Sequence, residues 1–371
     1  MREIKSIIEA YRNPSARALK KALATVVHVQ GSSYRRPGAR MLVLEDGSIT
    51  GAISGGCLEN DALRKAQLAM ATSAPRLVVY DTSNEEDASV GVQLGCNGVI
   101  TVLFEPVLNQ DDPKIKLLEK ALLKREPSVV STLFYAGKTK SHPGTCSITN
   151  STDSSLEEYS NVYQQKVRPL ALLQLNEQKS IHTAFPGPDE DQLNVFLEFI
   201  PPPVSLIIAG AGNDAVPLIE LSETLGWESQ VVDGRHTHLS TGRFPATCQL
   251  RLAKPEEVLD QIQPDQWTAF ILVTHNFQYD KALLKILLPL QVPYIGILGP
   301  KKKMERMITE LRNEGMNVTP EMLNKVYGPV GLEIGAEHPS EIALSIISEI
   351  QAVIAGKQGG FLRNKTDIIH T

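Results

Sequence analysis

The chain has 371 residues, of which 42% are hydrophobic and 21% charged, and its formal net charge is −5. That length exceeds one comfortable core and points to about two domains of ordinary globular composition. The acidic balance gives no reason to expect nucleic acid or an anionic membrane surface as a main partner.

The N-terminal stretch MREIKSIIEAYRN is charged and helical in pattern, without the apolar core of a signal peptide. No apolar run approaches the roughly 18–20 residues that cross a bilayer, so the expectation is a cytoplasmic protein. The four cysteines, Cys57, Cys96, Cys146 and Cys248, form no CxxC pair and no Cys/His cluster of zinc spacing. They are expected as separate thiols.

In chain order, residues 3–12 and 15–23 read as helices, and 24–30, 39–44 and 48–53 as strands. Asp46-Gly47 between the last two is a hairpin signal. Residues 58–71 have helical spacing, and 77–80 and 99–104 look like strands. A helix over 113–124 and strands over 129–135, 167–175 and 195–200 complete the first part. The polar run 151–160 reads as an exposed loop, and no internal repeat is evident. Pro201-Pro202-Pro203 then continues neither helix nor central strand and marks the seam. Domains are therefore expected over 1–200 and 201–371.

Beyond the seam the segments VSLIIAG, WESQVVD, TCQLRLA, TAFILVTH and PYIGILG alternate with helical stretches. That alternation predicts βαβ units and a doubly wound parallel sheet of Rossmann type. Gly210-Ala211-Gly212-Asn213-Asp214-Ala215 is a GxGxxA match between a strand and a helix, where backbone N–H groups reach a pyrophosphate. Asp233, 21 residues after Gly212, stands where a carboxylate would accept ribose hydroxyls. NAD or another nucleotide is the expected ligand, although Asp214 brings negative charge close to the phosphates. His275, at the end of another strand, reads as a base, a ligand contact or a loop cap. Lys301, Lys302 and Lys303 read as a phosphate contact, a contact to an acidic partner, or a solvated charge run.

Cys57 follows Gly55-Gly56, which leave its sulfur approachable, and precedes a helix whose dipole favours a thiolate. Glu59 and Asp61 partly oppose that effect. Arg35, Arg36 and Arg40 surround a proline turn just before the hairpin that delivers Cys57. Arginines suit bidentate binding of phosphate, so the pairing suggests a phosphorylated, soft-metal or sulfur-bearing ligand. Cys96 is a second thiol in a glycine setting.

The segments GARMLVLEDGSITGAISGGCLEND, LGCNGVITVLFEP, GAGNDA with VVDGR, YIGILG and PVGLEIGAEHPSEIAL together resemble the XdhC/CoxI family of molybdenum-hydroxylase maturation factors. The resemblance spans both parts of the chain. It implies a mixed α/β XdhC/CoxI-type N-terminal domain ahead of the Rossmann-like one. It also implies a cytoplasmic, dimeric accessory protein that binds molybdenum cofactor as cargo. Such a protein works with a cysteine desulfurase and serves a xanthine-dehydrogenase-type molybdenum hydroxylase. On that resemblance Cys57 is the sulfur-handling or molybdenum-contacting thiol, Cys96 the second family cysteine, and the arginines about Pro37 face the pterin phosphate. Further cofactor contacts would come from Gly55, Gly56 and Glu59 beside Cys57, and, for a nucleotide in the Rossmann part, from Gly210, Gly212, Asn213, Asp233 and His275. Tyr34, Asn97 and Pro300 depart from the family pattern, and Pro300 weakens a phosphate role for the lysines. Two other classes remain open on the residues alone: an NAD-dependent oxidoreductase, and a nucleotide-gated scaffold without sulfur chemistry.

Overall fold

A computed structural model describes residues 1–81, 98–135, 142–151, 154–156, 163–186 and 191–366. Cys96 and most of the polar run 151–160 lie outside the described residues. The chain divides into two units, Met1–Pro202 and Pro203–Thr371, at the triple proline.

In the first unit, α1 (Arg2–Arg12) precedes β1 (Lys21–Gly31), β2 (Arg40–Leu44), β3 (Ile49–Gly51), α2 (Glu59–Thr72), β4 (Arg76–Asp81) and β5 (Gly98–Val107). Then follow α3 (Pro113–Leu123), β6 (Ser128–Tyr135), β7 (Gly144–Thr149), β8 (Ser154–Leu156), α4 (Arg168–Glu177), β9 (Ile181–Pro186) and β10 (Gln192–Ile200). Among the described residues these strands form two five-stranded sheets, ordered β3-β2-β1-β5-β4 and β8-β7-β6-β10-β9. Every pairing in them is antiparallel. The second order is the first with five added to each number, and each half runs βββαββ.

The first unit is thus an internal repeat, which the sequence reading missed because the halves share topology rather than residue pattern. Two further expectations are corrected. Residues 15–23 are not a helix: a short turn at Pro14–Ala16 gives way to β1, where seven consecutive buried residues fill the sheet. Residues 167–175 are not a strand. Pro169 opens α4, whose Ala171 packs on the second sheet beside Val129, Val195 and Leu197. A dense apolar run carries no period that separates the two forms.

The halves are joined by a reciprocal polar exchange. Counting inward from the paired ends Lys21/Val107 and Ser128/Ile200, Glu105 opposes Leu23 and Glu198 opposes Val130, so the two glutamates are equivalent. Each reaches into the other half. Glu198 accepts from both terminal guanidinium nitrogens of Arg40 on β2, Oε1 at 3.0 Å from Nη1. Glu105 accepts from the backbone N (2.9 Å) and hydroxyl (2.8 Å) of Thr145 on β7. Arg40 and Thr145 are themselves equivalent, opposite Thr25 and Thr132. Gly38 and Gly144 make room, since a Cβ at either would overlap the incoming carboxylate. Around this exchange Val27, Leu103, Phe134 and Phe196 form a buried cluster between the sheets.

In the second unit, β11 (Ser205–Ala209), α5 (Ala215–Leu225), β12 (Glu228–Asp233), β13 (Gln249–Leu252) and β14 (Thr268–Leu272) lead to α6 (Phe277–Leu287) and β15 (Tyr294–Ile297). They are followed by α7 (Lys301–Asn313), α8 (Pro320–Leu323), β16 (Val326–Tyr327) and α9 (Pro339–Ile354). The parallel order β13-β12-β11-β14-β15-β16 is doubly wound, with α5 and α9 on one face and α6 and α7 on the other. After β13 there is only a three-residue turn, Pro255–Glu257, where a helical stretch was expected. Among the described residues no helix is long and apolar enough to cross a membrane.

Arg40 is fully buried, so truncating Glu198 strands a charge. Glu198→Ala should lower unfolding stability by about 3–5 kcal/mol, and a combined Arg40→Met, Glu198→Leu chain should recover much of the loss. Denaturant midpoints check both. Burial pushes the Glu105 carboxyl above its ordinary value near 4.5 despite the Thr145 bonds. A raised folded pKa gives stability that is present at low pH and fades as pH climbs through the window above 4.5. Relative to wild type, Glu105→Gln should therefore gain stability as pH rises above 4.5 in parallel denaturation series.

Candidate functional site

One candidate lies in each unit. In the first, β5 begins opposite the end of β1, Gly98 pairing with Gly31, while β2 begins and β3 finishes partway along it, where Arg40 pairs with Thr25 and Met41 with both Ala24 and Gly51. The loops 32–39 and 52–58 therefore share one end of the sheet. They touch: the Tyr34 ring covers Gly55, leaving space for nothing larger than a Cβ at 3.4 Å. Tyr34 itself is 67% exposed.

Ser54 organises the loop that carries Cys57. Its hydroxyl donates to Glu59 and accepts from the backbone N of Gly56 (3.2 Å) and Leu58 (3.1 Å). The Cys57 thiol donates to the same oxygen at 3.6 Å. Glu59 also accepts from Ser54 N at 2.8 Å, so its carboxylate closes the loop onto the start of α2 and does not face a ligand. Asp61 accepts from the Tyr80 hydroxyl at 3.0 Å. Both acids that seemed to oppose the thiol are thus engaged. Cys57 stands half-buried on the loop surface, and the space a side chain at Gly56 would fill is open.

The three arginines separate. Arg36 is exposed, Arg35 is ion-paired with Glu3, and Arg40 is buried against Glu198. The expectation that Arg40 faces a phosphate is corrected, because its guanidinium is consumed inside the fold. Its backbone N is held by Glu3 at 2.9 Å, so Glu3 ties α1 to both ends of the arginine loop.

In the second unit the strand order reverses between β11 and β14, and ligands of such sheets bind at that point. Gly210 has φ +119°, and a Cβ there would strike the Val273 carbonyl, so glycine is required. Gly212 faces open space at the start of α5. Across the crevice, His275 Nε2 lies 2.9 Å from Asp214 Oδ2, and His275 holds a left-handed φ of 55°. That contact joins the loops after β11 and β14. Thr274 beside it donates to buried Asp280 at 2.6 Å, and Lys303 donates to the other Asp280 oxygen at 2.7 Å. Lys303 is thus a partly buried structural cation, whereas Lys301 and Lys302 are solvated.

Asp233 does not wait for a ribose. Oδ2 accepts from Ala211 N (2.8 Å) and Arg235 Nη2 (2.9 Å), and Oδ1 from Arg235 N (2.8 Å) and Nε (3.0 Å). Burial opposes its ionisation, but the bonds from Arg235 and Ala211 outweigh it and hold the pKa below the ordinary value. The ribose expectation is therefore corrected: a sugar would have to displace Arg235. A second arginine, Arg243, donates to the Ala211 carbonyl and to Asn213 Oδ1, each at 2.9 Å. Neither Arg235 nor Arg243 was singled out by sequence reasoning. The VVDGR run was a signal for the first; Arg243 sits in an irregular polar stretch that gave none.

The sequence matches the XdhC and CoxI family over residues 15–81 and the XdhC Rossmann domain over residues 206–350. It is 31% identical over 328 residues to a probable xanthine dehydrogenase subunit of Bacillus subtilis, covering 88% of this chain and 91% of that one. It is 23% identical over 331 residues to the molybdenum cofactor insertion chaperone PaoD of Escherichia coli, covering 89% and 82%. A Bacillus halodurans protein whose crystal structure is described as a xanthine dehydrogenase superposes with a TM-score of 0.75 at 31% identity, covering 95% of this chain and 97% of that one.

The three described thiols should differ in reactivity. Cys146 and Cys248 are 4% and 8% exposed, and burial raises the pKa of both. Alkylation of the native protein followed by peptide mapping should modify Cys57 and leave these two intact until denaturant is added.

Proposed function

The chain belongs to the XdhC and CoxI family, and from that premise we propose a maturation factor that carries molybdenum cofactor to a xanthine-dehydrogenase-type hydroxylase. In this reading the cofactor is cargo, and the chain assists its sulfuration and insertion. The observation that carries it is Cys57: a half-buried thiol on a glycine loop, with open space beside Gly56. The other two described cysteines are buried.

A soft sulfur suits molybdenum or a persulfide better than a hydroxyl would. Ser54 and Glu59 hold the loop so that Cys57 is presented at one end of the sheet, and Tyr34 restricts movement over Gly55. In this reading Arg36, exposed on the adjoining loop, would meet a cargo phosphate. The partners are the hydroxylase, a cysteine desulfurase that supplies sulfur, and a second copy of the chain, all in the cytoplasm. The likeness to the chaperone PaoD supports the insertion step.

At the second candidate site, the open space at Gly212 and the start of α5 suit a phosphate-bearing group. The residues do not fit an NAD ribose on Asp233, whose oxygens are taken by Ala211 and Arg235.

Cys57→Ser should keep its melting temperature while molybdenum content per folded chain and hydroxylase activation fall about tenfold or more. Removing mere outer-shell partners from metal sites already costs roughly 10–100-fold. The comparison uses Cys248→Ser, purified from the same molybdenum-replete host. Equal, small losses in both would sink the proposal, and a loss of stability confined to Cys57→Ser would make that thiol structural.

A further inference from the structure

β1 is 11 residues long, so its two ends lie roughly 30 Å apart at 3.3 Å per residue. The loop 32–39 leaves from one end. At the other, a cavity of about 240 Å³ opens between Tyr11 at the end of α1, the turn that follows it, the start of β1 and the end of β5. That volume is below the roughly 300–1,000 Å³ of sites for drug-sized ligands.

Lys21 lines this cavity and is 6% exposed. Its ammonium donates to the carbonyls of Leu19 (3.0 Å) and Ala16 and lies 5.7 Å from the centre of the Tyr11 ring. Among the described residues it has no carboxylate partner. Buried lysines without one are rare, because an ion removed from water needs a counter-charge. Burial accordingly depresses its pKa.

The nearby acids are committed elsewhere. Glu119 accepts from Nε and Nη2 of Arg12 at 2.7 and 2.8 Å, and Asp112 accepts from Lys114 and from Leu108 N. Arg17 and Lys20, also lining the cavity, are exposed and have no ion pair among the described residues. Glu45 accepts from Lys20 N at 3.3 Å, and Arg12, which also lines the cavity, is paired with Glu119, so the side chains of Lys21, Arg17 and Lys20 converge there without an ion pair among the described residues. Holding two carbonyls explains part of what Lys21 does. It leaves the third N–H and the positive charge unanswered.

We propose that this cavity binds a small phosphate-type oxyanion, inorganic phosphate or a phosphate monoester, with Lys21 beneath it and Arg17 and Lys20 at the mouth. A dianion supplies the missing counter-charge, and Arg17 offers a fork that matches phosphate oxygens. The site is distinct from the cargo loop, since its lining contains neither Cys57 nor Arg35, Arg36 or Arg40.

Titration of the full-length chain with inorganic phosphate at constant ionic strength, read by calorimetry, tests the proposal. Saturation is expected with a Kd at or below about 1 mM. Lys21→Met should weaken it at least tenfold and Arg17→Ala severalfold, while Arg35→Ala and Arg243→Ala leave it unchanged. Should Lys21→Met not fold, the ¹³Cε shift of Lys21 in labelled wild type gives a second reading. Its pKa should rise when phosphate is added, because the bound anion favours the charged form. Absence of saturation overturns the proposal. So does a Kd that responds to Arg35→Ala or Arg243→Ala but not to Arg17→Ala, since the anion would then belong to another site.

Discussion

The first unit depends on two glutamates, Glu105 buried and Glu198 largely so, that cross between its halves. A carboxylate in a dry interior is costly unless it is hydrogen-bonded or paired. Glu198 meets that requirement with Arg40, and Glu105 with the backbone and hydroxyl of Thr145. Each glutamate is answered from the opposite half. The requirement sets the register of β2 against β1 and of β7 against β6, and the clearances at Gly38 and Gly144 follow from it.

That constraint also shapes the candidate site. Arg40 and Glu3 anchor the start of β2, so the arginine loop is fixed at both ends before it meets the loop carrying Cys57. Ser54 performs the same service on the other side, gathering the backbone of Gly56 and Leu58 with one hydroxyl. The thiol therefore projects from a rigid frame although its own segment is irregular. Positioning of this kind is what a group needs if it is to meet a ligand reproducibly.

The Rossmann unit follows the same economy of polar groups. Asp233 locks the glycine turn through Ala211 N, Arg235 neutralises Asp233, and Arg243 ties the far side of the turn to Asn213. The crevice is spanned by Asp214 and His275. Motif residues that usually address a nucleotide are here bonded to one another, which leaves the backbone at Gly212 as the open part of the site.

Much of this was legible in the residues alone. Asp46-Gly47 specifies its hairpin by local turn chemistry, and the strand–helix alternation after Pro203 specifies a parallel sheet by its periods. The GxGxxA turn and the SGGC loop were recognisable because glycine marks places where backbone must come close. The partners of charged side chains were not legible. Arg40 lies 158 positions from Glu198, and no local pattern reports that distance. The duplicated topology was hidden because its halves share strand order and buried polar positions rather than repeated residues. Near-neighbour chemistry determined the turns, the elements and the glycine loops. Which carboxylate meets which cation was decided only by tertiary structure, because burial selects partners by position in space.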